Sequence, residues 1–335
     1  MASKVFEHGK PSIYPDNSTL CDAFRAAMPG GRANRAYAPL KAWFERVALE
    51  ANLCLSIHHL TELARWGDQD TANAMAAWYD ALPIVWVKST QTLEAEEGEH
   101  WTKVAAGVTS PGVNPFSATL LGAFHVLTPE MTARLLGSNG QAQALLGASR
   151  QMGHDREERF MGDTAQTFRD DLAWADERGL TPQQRREQEA ENERRALREL
   201  AREADTRLTA RRDIAYARKA CTGGQVQDLL VELYGREPTA MPYFRVQRRL
   251  WPGFRARAHG RPGPSNNERA ALAGALEDNL HASVGAAYCD AFTCDGEVAE
   301  WLGDIRAGLG KRSQMTARVH VGGADGFVRD LMATW

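Results

Sequence analysis

No run of apolar residues in this chain approaches the roughly 20 that a membrane-spanning helix needs. The opening Met1–Lys10 (MASKVFEHGK) also lacks the apolar block of a secretory signal. The expectation is a cytoplasmic protein with no membrane partner. Cysteine is scarce: the five thiols, Cys21, Cys54, Cys221, Cys289 and Cys294, are odd in number and show no C-x-x-C spacing. That argues against a disulfide framework and against a zinc site, so reduced thiols are expected. Internal repeats are absent, and the one biased tract is rich in Arg and Glu. What is present is an ordinary mixture, 43% hydrophobic and 25% charged over 335 residues. Such a chain folds, either as two domains or as one domain carrying a large insertion.

The formal net charge of −3 hides a pattern along the chain. Residues 1–100 carry 9 Lys/Arg against 13 Asp/Glu, residues 101–264 carry 25 against 20, and residues 265–335 carry 6 against 10. Two acidic ends therefore flank a basic middle. This suits ends that fold together around a cation-binding carboxylate site, with a middle that meets a polyanion; chance drift of charge is the other reading.

Hydrophobic periodicity divides the chain in the same way. Ser12 to Asn17 reads as a short strand ending in a polar turn, and Leu20, Ala23, Phe24 and Ala27 follow at helical spacing. Further on come a helix over Tyr37 to Ala51, a buried strand at Leu53 to Ile57 and a helix marked by Leu60, Leu63 and Ala64. Ala72 to Leu82 reads as a helix stopped by Pro83, with Ile84 to Val87 a possible third strand. The α/β alternation then fades, and residues 110–264 are mostly helical. Thr181-Pro182-Gln183-Gln184 is a capping box with proline at the first helical position. The helix it opens has a narrow stripe of Leu197, Ala201, Ala204, Leu208 and Ala215. Pro252 to Pro264 reads as a loop, and Ser265-Asn266-Asn267-Glu268 as a second capping box. After it the α/β pattern returns, with a strand within Tyr288 to Asp295, a helix over Val298 to Leu309 and a last strand at Ala317 to Val321.

The helix opened by the second capping box has two unlike faces. Leu272, Ala275, Leu276, Leu280 and Val284 form an apolar stripe; Gly274, Asp278, His281 and Gly285 lie opposite. That second face either lets a ligand come close to the backbone or is simply solvated. The order of acids bears on the choice. Asp16 ends the first strand, Glu62 sits on the helix after the second, Asp278 lies on this late helix and Asp295 ends the strand that follows. In an open parallel sheet, strand ends and the following helix starts converge on one crevice, so these acids can meet. Carboxylates gathered there raise one another's pKa or take a cation, and such hard oxygen ligands select Mg²⁺ or Mn²⁺.

In these stretches the chain resembles the PIN-domain nucleases. The resemblance lies in Ile13-Tyr14-Pro15-Asp16-Asn17, Leu55 to Leu63 (LSIHHLTEL), Asp278-Asn279-Leu280-His281 and Tyr288 to Asp295 (YCDAFTCD). It implies an α/β fold, a three-layer α/β/α sandwich with a mainly parallel sheet, in two parts, 1–100 and 265–335. Residues 101–264 are a large, mostly helical, basic insertion. It also implies that Asp16, Glu62, Asp278 and Asp295 are the metal-binding and catalytic quartet of a phosphodiesterase acting on RNA rather than DNA and leaving a 5′-phosphate and a 3′-hydroxyl. Asn17 and Thr293, beside two of the acids, are second choices for holding a metal-bound water or a phosphate oxygen. His281, one turn after Asp278, either orients that carboxylate, touches phosphate or is merely solvated. The chain departs from the family in length and at Pro15, which implies a first strand that is short or at an edge.

The insertion carries its own signal. Tyr234 to Arg261 holds Arg236, Arg245, Arg248, Arg249, Arg255, Arg257 and Arg261 against the single acid Glu237, interleaved with Tyr243, Phe244, Trp251 and Phe254. Arginine forks and aromatic faces suit single-stranded nucleic acid, with Arg245, Arg248, Arg249, Trp251, Arg255 and Arg257 as the contact set; the other reading is a loop anchored by core aromatics. Two rival functions remain. One is a nucleic-acid-binding or regulatory scaffold that does not cleave. The other is an aspartyl-nucleophile phosphatase, since Asp16-Asn17-Ser18-Thr19 approaches the D-x-D-x-T pattern of haloacid-dehalogenase-like enzymes but lacks its second acid. A homo-oligomer and an inhibitory partner protein are both left open.

Overall fold

Every strand residue of the first three strands is buried, the mark of a sheet covered on both faces. A computed structural model describes residues 4–28, 35–124, 132–133, 135–136, 140–152, 178–220, 225–259, 278–294, 296–309, 318–321, 323–327 and 329. The first half of the chain forms β1 (Ser12–Tyr14), α1 (Asn17–Ala27), α2 (Ala38–Glu50), β2 (Asn52–Leu55), α3 (Ile57–Ala64), α4 (Gln69–Ala81), β3 (Val85–Val87), α5 (Thr90–Ala105), β4 (Phe116–Ser117) and α6 (Gln141–Met152). The helices α7 (Pro182–Ala210), α8 (Ile214–Ala220), α9 (Val226–Arg236) and α10 (Pro242–His259) follow. The last part holds α11 (residues 278–288), β5 (Ala291–Cys294), α12 (Gly296–Leu309), β6 (Arg318–Val321) and α13 (Gly323–Phe327).

The six strands lie in the order β4-β3-β2-β1-β5-β6. All neighbours are parallel except the two-residue edge strand β4, which runs antiparallel to β3. The fold is therefore α/β with a mostly parallel sheet. Successive strand side chains point to opposite faces. Ile13, Leu53, Leu55, Ile84, Trp86 and Ala291 join one apolar cluster, with residues of α1 to α4 and α6. Their neighbours Tyr14, Cys54, Val85, Val87, Phe292 and Cys294 join another, with residues of α5, α10, α11 and α12.

The acidic ends of the chain do come together. β1 takes β2 on one side and β5 on the other, with Ile13 opposite Leu53 and Ala291. The β1/β5 junction is clamped at both ends. At the strand starts, the Ser12 N–H and hydroxyl donate to Asp290 Oδ2 (2.8 and 2.7 Å), and the Asp290 N–H donates back to Ser12 Oγ (2.9 Å). At the strand ends, the Asp16 N–H donates to Thr293 Oγ1 (2.7 Å), whose hydroxyl donates to Asp16 Oδ1 (2.9 Å). Pro15 follows β1 directly. The strand is short, as its proline implies, but it is central rather than an edge, because pairing stops one residue before the ring.

The middle of the chain is joined to the sheet more closely than a boundary at residue 100 suggests. α5 runs through that position, and β4, beyond it, extends the sheet. The Thr181 capping box forms as expected, and Leu197, Leu200, Ala201, Ala204 and Leu208 make the buried stripe of α7. Ala215 falls outside that stripe because α7 ends at Ala210. Leu197, Leu200 and Ala201 pack with Leu230, Tyr234, Met241 and Phe244 against Trp101 and Ala105 of α5. Tyr243, Val246 and Leu250 of α10 reach the core of the sheet itself. α10 also corrects the loop expected from Pro252, since the backbone stays helical to His259. The second capping box, Ser265 to Glu268, lies outside the described residues.

One buried carboxylate seats α10. Glu97 of α5, fully buried, accepts from the N–H groups of Tyr243 (2.9 Å) and Phe244 (3.1 Å) in the first turn of α10 and from the Tyr288 hydroxyl at the end of α11. It thus does from a distance what an N-cap residue does locally. Met241, just before the helix, takes a positive φ of 54°. Burial pushes the Glu97 pKa up to about 7 against the pull of its three donors.

Candidate active site

The carboxyl edge of a parallel sheet, between strands whose connections leave in opposite directions, is where an open α/β fold leaves a crevice. Here that edge lies past Tyr14 and Cys294. A cavity of about 210 Å³ opens there, lined by Asp16, Asn17, Ser18, Glu62, Asp278, His281, Phe292, Thr293 and Cys294. The structure thus brings together three of the four expected acids, from the N-cap of α1 just past β1, from α3 and from α11, along with Asn17, His281 and Thr293. Asp295 lies outside the described residues. Ser18, Phe292 and Cys294 also line the cavity, although none of them was among the expected site residues.

Each acid has a structural reason to be where it is. Asp16 is the N-cap of α1, its Oδ1 accepting the Thr19 N–H (3.2 Å) and its Oδ2 the Ser18 hydroxyl (2.5 Å). With the Thr293 clamp, its carboxylate is fixed from three sides. Asn17, buried, accepts the Tyr79 hydroxyl through Oδ1 (3.3 Å). Burial raises the Tyr79 hydroxyl well above its usual range, and the negative charges of Glu62 and Asp16 add to that.

Glu62 projects from α3, whose N-terminus is set by Ser56. Ser56 Oγ accepts the His58 N–H (3.3 Å), while His59 Nδ1 accepts the Ser56 N–H (3.1 Å). Histidine thus takes the place that Glu or Gln usually holds in a capping box. Its Nε2–H donates to the Pro15 carbonyl (2.9 Å). Burial holds His59 well below the usual imidazole range, and neighbouring His281 pushes the same way, so a neutral ring with the proton on Nε2 fits both bonds.

α11 carries Asp278 and His281 and settles which reading of its two faces holds. From residue 281 to 287 it is buried all round, whereas Leu280, on the expected apolar stripe, is only half-buried. The face with His281 and Gly285 is turned to the sheet rather than to water. Gly285 gives no room to a ligand. A Cβ there would stand 2.5 Å from Phe292 Cδ2, so the glycine is required for helix and strand to approach. Gly274 lies outside the described residues. His281 contacts Glu62, with Nε2 at 3.4 Å from Glu62 Oε1.

The donors suit a hard divalent cation. Three carboxylates with hydroxyl and amide oxygens face one cavity, and the lining includes no lysine or arginine. The side chains are not gathered as tightly as a loaded site requires: among the described residues, no group of three or more His, Cys, Asp or Glu is arranged to hold a metal ion.

The arginine-rich segment divides in two. Tyr243, Phe244 and Arg245 are interior. Arg245 donates to the carbonyls of Ala240 (3.3 Å), Tyr234 (2.7 Å) and Glu237 (3.1 Å), and its guanidinium lies 3.8 Å from the centroid of the Tyr234 ring. This corrects the expectation that Arg245 meets phosphate, because the side chain is buried and three of its N–H donors are spent on backbone carbonyls. Arg248, over the Phe244 ring at 5.0 Å, Arg249 and Trp251 are half-buried. The side chains of Arg255 and Arg257 lie outside the described residues.

These features define an α/β protein with an acid-lined crevice at the carboxyl edge of a mostly parallel sheet. No protein-family model, no curated protein and no solved structure matches the chain. Among the described residues, no helix is long and apolar enough to cross a membrane.

Proposed function

We propose that the protein is a metal-dependent nuclease of PIN type that hydrolyses phosphodiester bonds, with single-stranded RNA as the favoured substrate. The observation that carries this reading is the convergence of Asp16, Glu62 and Asp278, 262 positions apart from first to last, on one cavity at the carboxyl edge of the sheet. The strand order and the helices on both sheet faces support a PIN-like three-layer sandwich. The preference for RNA rests on the family resemblance.

In this reading Asp16, Glu62 and Asp278, with Asp295 as the fourth acid, hold Mg²⁺ or Mn²⁺. When bound, the ion polarises the phosphate and eases ionisation of a water. The chain's own part is orientation. The N-cap bonds and Thr293 fix Asp16, and the positive end of the α1 dipole faces the cavity where substrate phosphate enters. Arg248, Arg249, Trp251, Arg255 and Arg257 are the proposed contacts for the rest of the strand. The alternative, a non-catalytic nucleic-acid-binding scaffold, draws on the absence of a tight metal-ligand group among the described residues.

The test is incubation with labelled single-stranded RNA, single-stranded DNA and duplex, with Mn²⁺ or EDTA. Cleavage that needs Mn²⁺ and is lost in Asp278→Asn and in Glu62→Gln is expected, with a rate at least about 100-fold lower for each if the ion's charge stabilisation depends on them. Full metal-dependent cleavage by both variants removes the assignment. Tight RNA binding without turnover favours the scaffold.

A further inference from the structure

Beneath the cavity runs a buried chain of polar groups whose direction can be worked out. The hydroxyl of Tyr14, fully buried at the end of β1, lies 2.6 Å from Ser56 Oγ and 2.7 Å from His281 Nδ1. One hydroxyl has one proton, so it donates to one neighbour and accepts from the other. Were His281 Nδ1 the donor, a neutral imidazole would turn a bare Nε2 lone pair toward the Glu62 carboxylate at 3.4 Å, acceptor against acceptor. The opposite order has no such conflict. Ser56 Oγ–H donates to Tyr14, Tyr14 Oη–H donates to His281 Nδ1, and the proton of a neutral ring then sits on Nε2, the nitrogen 3.4 Å from Glu62 Oε1, an electrostatic contact longer than a formed hydrogen bond. Ser56 keeps a lone pair for the His58 N–H, and His59 Nδ1 is already engaged by the Ser56 N–H, so neither competes.

The placement of this chain matters as much as its polarity. Ser56 opens the helix that carries Glu62, and His281 sits on the helix that carries Asp278, three residues along. Tyr14 is two residues before Asp16. A single oxygen atom on the central strand therefore ties together the three elements that deliver the three acids. The neutral His59 ring, edge-on to His281 with centroids 4.6 Å apart at 89°, closes the side of the relay.

We propose that Tyr14 and His281 are positioning residues for the acid site: the Tyr14 hydroxyl fixes the His281 tautomer, and the Nε2–H edge of His281, 3.4 Å from Glu62 Oε1, attracts the Glu62 carboxylate to its place in the cavity. This rests on the cavity being the metal site of the proposed nuclease. Groups that orient ligating carboxylates in this way typically carry about a 10- to 100-fold effect on metal affinity.

Two measurements test it on the full chain. The first is long-range ¹H–¹⁵N NMR of the histidine rings in the metal-free protein at about pH 8.5, above the ordinary imidazole range near 6.5. The expected result is His281 with the proton on Nε2 and a bare Nδ1, changed in Tyr14→Phe. An Nδ1–H tautomer in the wild type overturns the proposal whatever the metal result. The second is calorimetric titration with Mn²⁺ of the wild type, Tyr14→Phe and His281→Asn, with circular dichroism to establish folding. Affinity about 10- to 100-fold weaker in both variants is expected. If the wild type binds Mn²⁺ and the folded variants bind it equally well, the positioning role is overturned and the nuclease reading stands. If the wild type does not bind Mn²⁺, the nuclease reading falls, and the tautomer decides whether Tyr14 and His281 orient Glu62.

Discussion

Glu97 makes the stability of the protein depend on pH in a way that can be worked out from its surroundings. In the unfolded chain its carboxyl titrates near the ordinary 4.5; in the folded protein burial lifts it to about 7. Between those values the folded state holds a proton that the unfolded state has lost, so the stability tied to protonated Glu97 is fully present below pH 4.5 and is lost as pH rises through 7. The gap corresponds to about 3 kcal/mol. Glu97→Gln removes the titration and keeps the shape. With its carbonyl turned to the Tyr243 N–H and the Tyr288 hydroxyl, the amide NH₂ meets the Phe244 N–H, donor against donor, at a cost of about 1–3 kcal/mol. Urea unfolding of both proteins from pH 5 to pH 8 reads the result. At pH 5 the wild type is the more stable. By pH 8 the difference closes or reverses, having moved by about 3 kcal/mol in favour of the variant. A difference that stays constant from pH 5 to pH 8 refutes the reasoning.

Thr293→Val keeps the volume of β5 but leaves the Asp16 N–H without its acceptor and Asp16 Oδ1 with one donor fewer. Denaturant unfolding is expected to register a loss of about 1–3 kcal/mol, and Mn²⁺ titration a weaker site. Gly285→Ala drives a methyl into Phe292, which is hemmed between helix and sheet, and is expected to cost about 1–3 kcal/mol and lower the melting temperature. In RNA binding, Arg249→Ala is expected to reduce the slope of log K against log salt by about 0.7, the value for one phosphate contact on a single strand. Arg245→Lys leaves that slope unchanged but destabilises the fold, because lysine cannot serve three carbonyls and a ring face together.

Much of the sheet region was legible because burial on both faces writes itself into short apolar runs, as at Leu53 to Leu55 and Ile84 to Val87. The acids were legible from topology. Asp16, Glu62 and Asp278 each follow or face a strand end, and a parallel sheet has one edge where such positions meet. What escaped was non-local. β4 has two residues and no period of its own; only the edge of β3 defines it. The face of α11 with His281 and Gly285 stayed open between a ligand-facing and a solvated reading because nothing in its letters tells whether a second layer will cover it. The arginine and aromatic mixture of α10 was ambiguous for the same reason, and Arg245 fell to the interior because three backbone carbonyls happened to await it. Glu97, in a run of acids from Glu94 to Glu99, gave no sign of which member would be enclosed.

The two clamps at the β1/β5 junction join residues 278 and 277 positions apart. Until β5 has been synthesised, β1 has an open flank beside β2, Asp16 lacks Thr293, and one wall of the crevice does not exist. Assembly of the crevice is thus postponed until the chain has been made as far as Cys294. A nascent or prematurely ended chain can hold Asp16 and Glu62 for a long while and still have no pocket in which to use them.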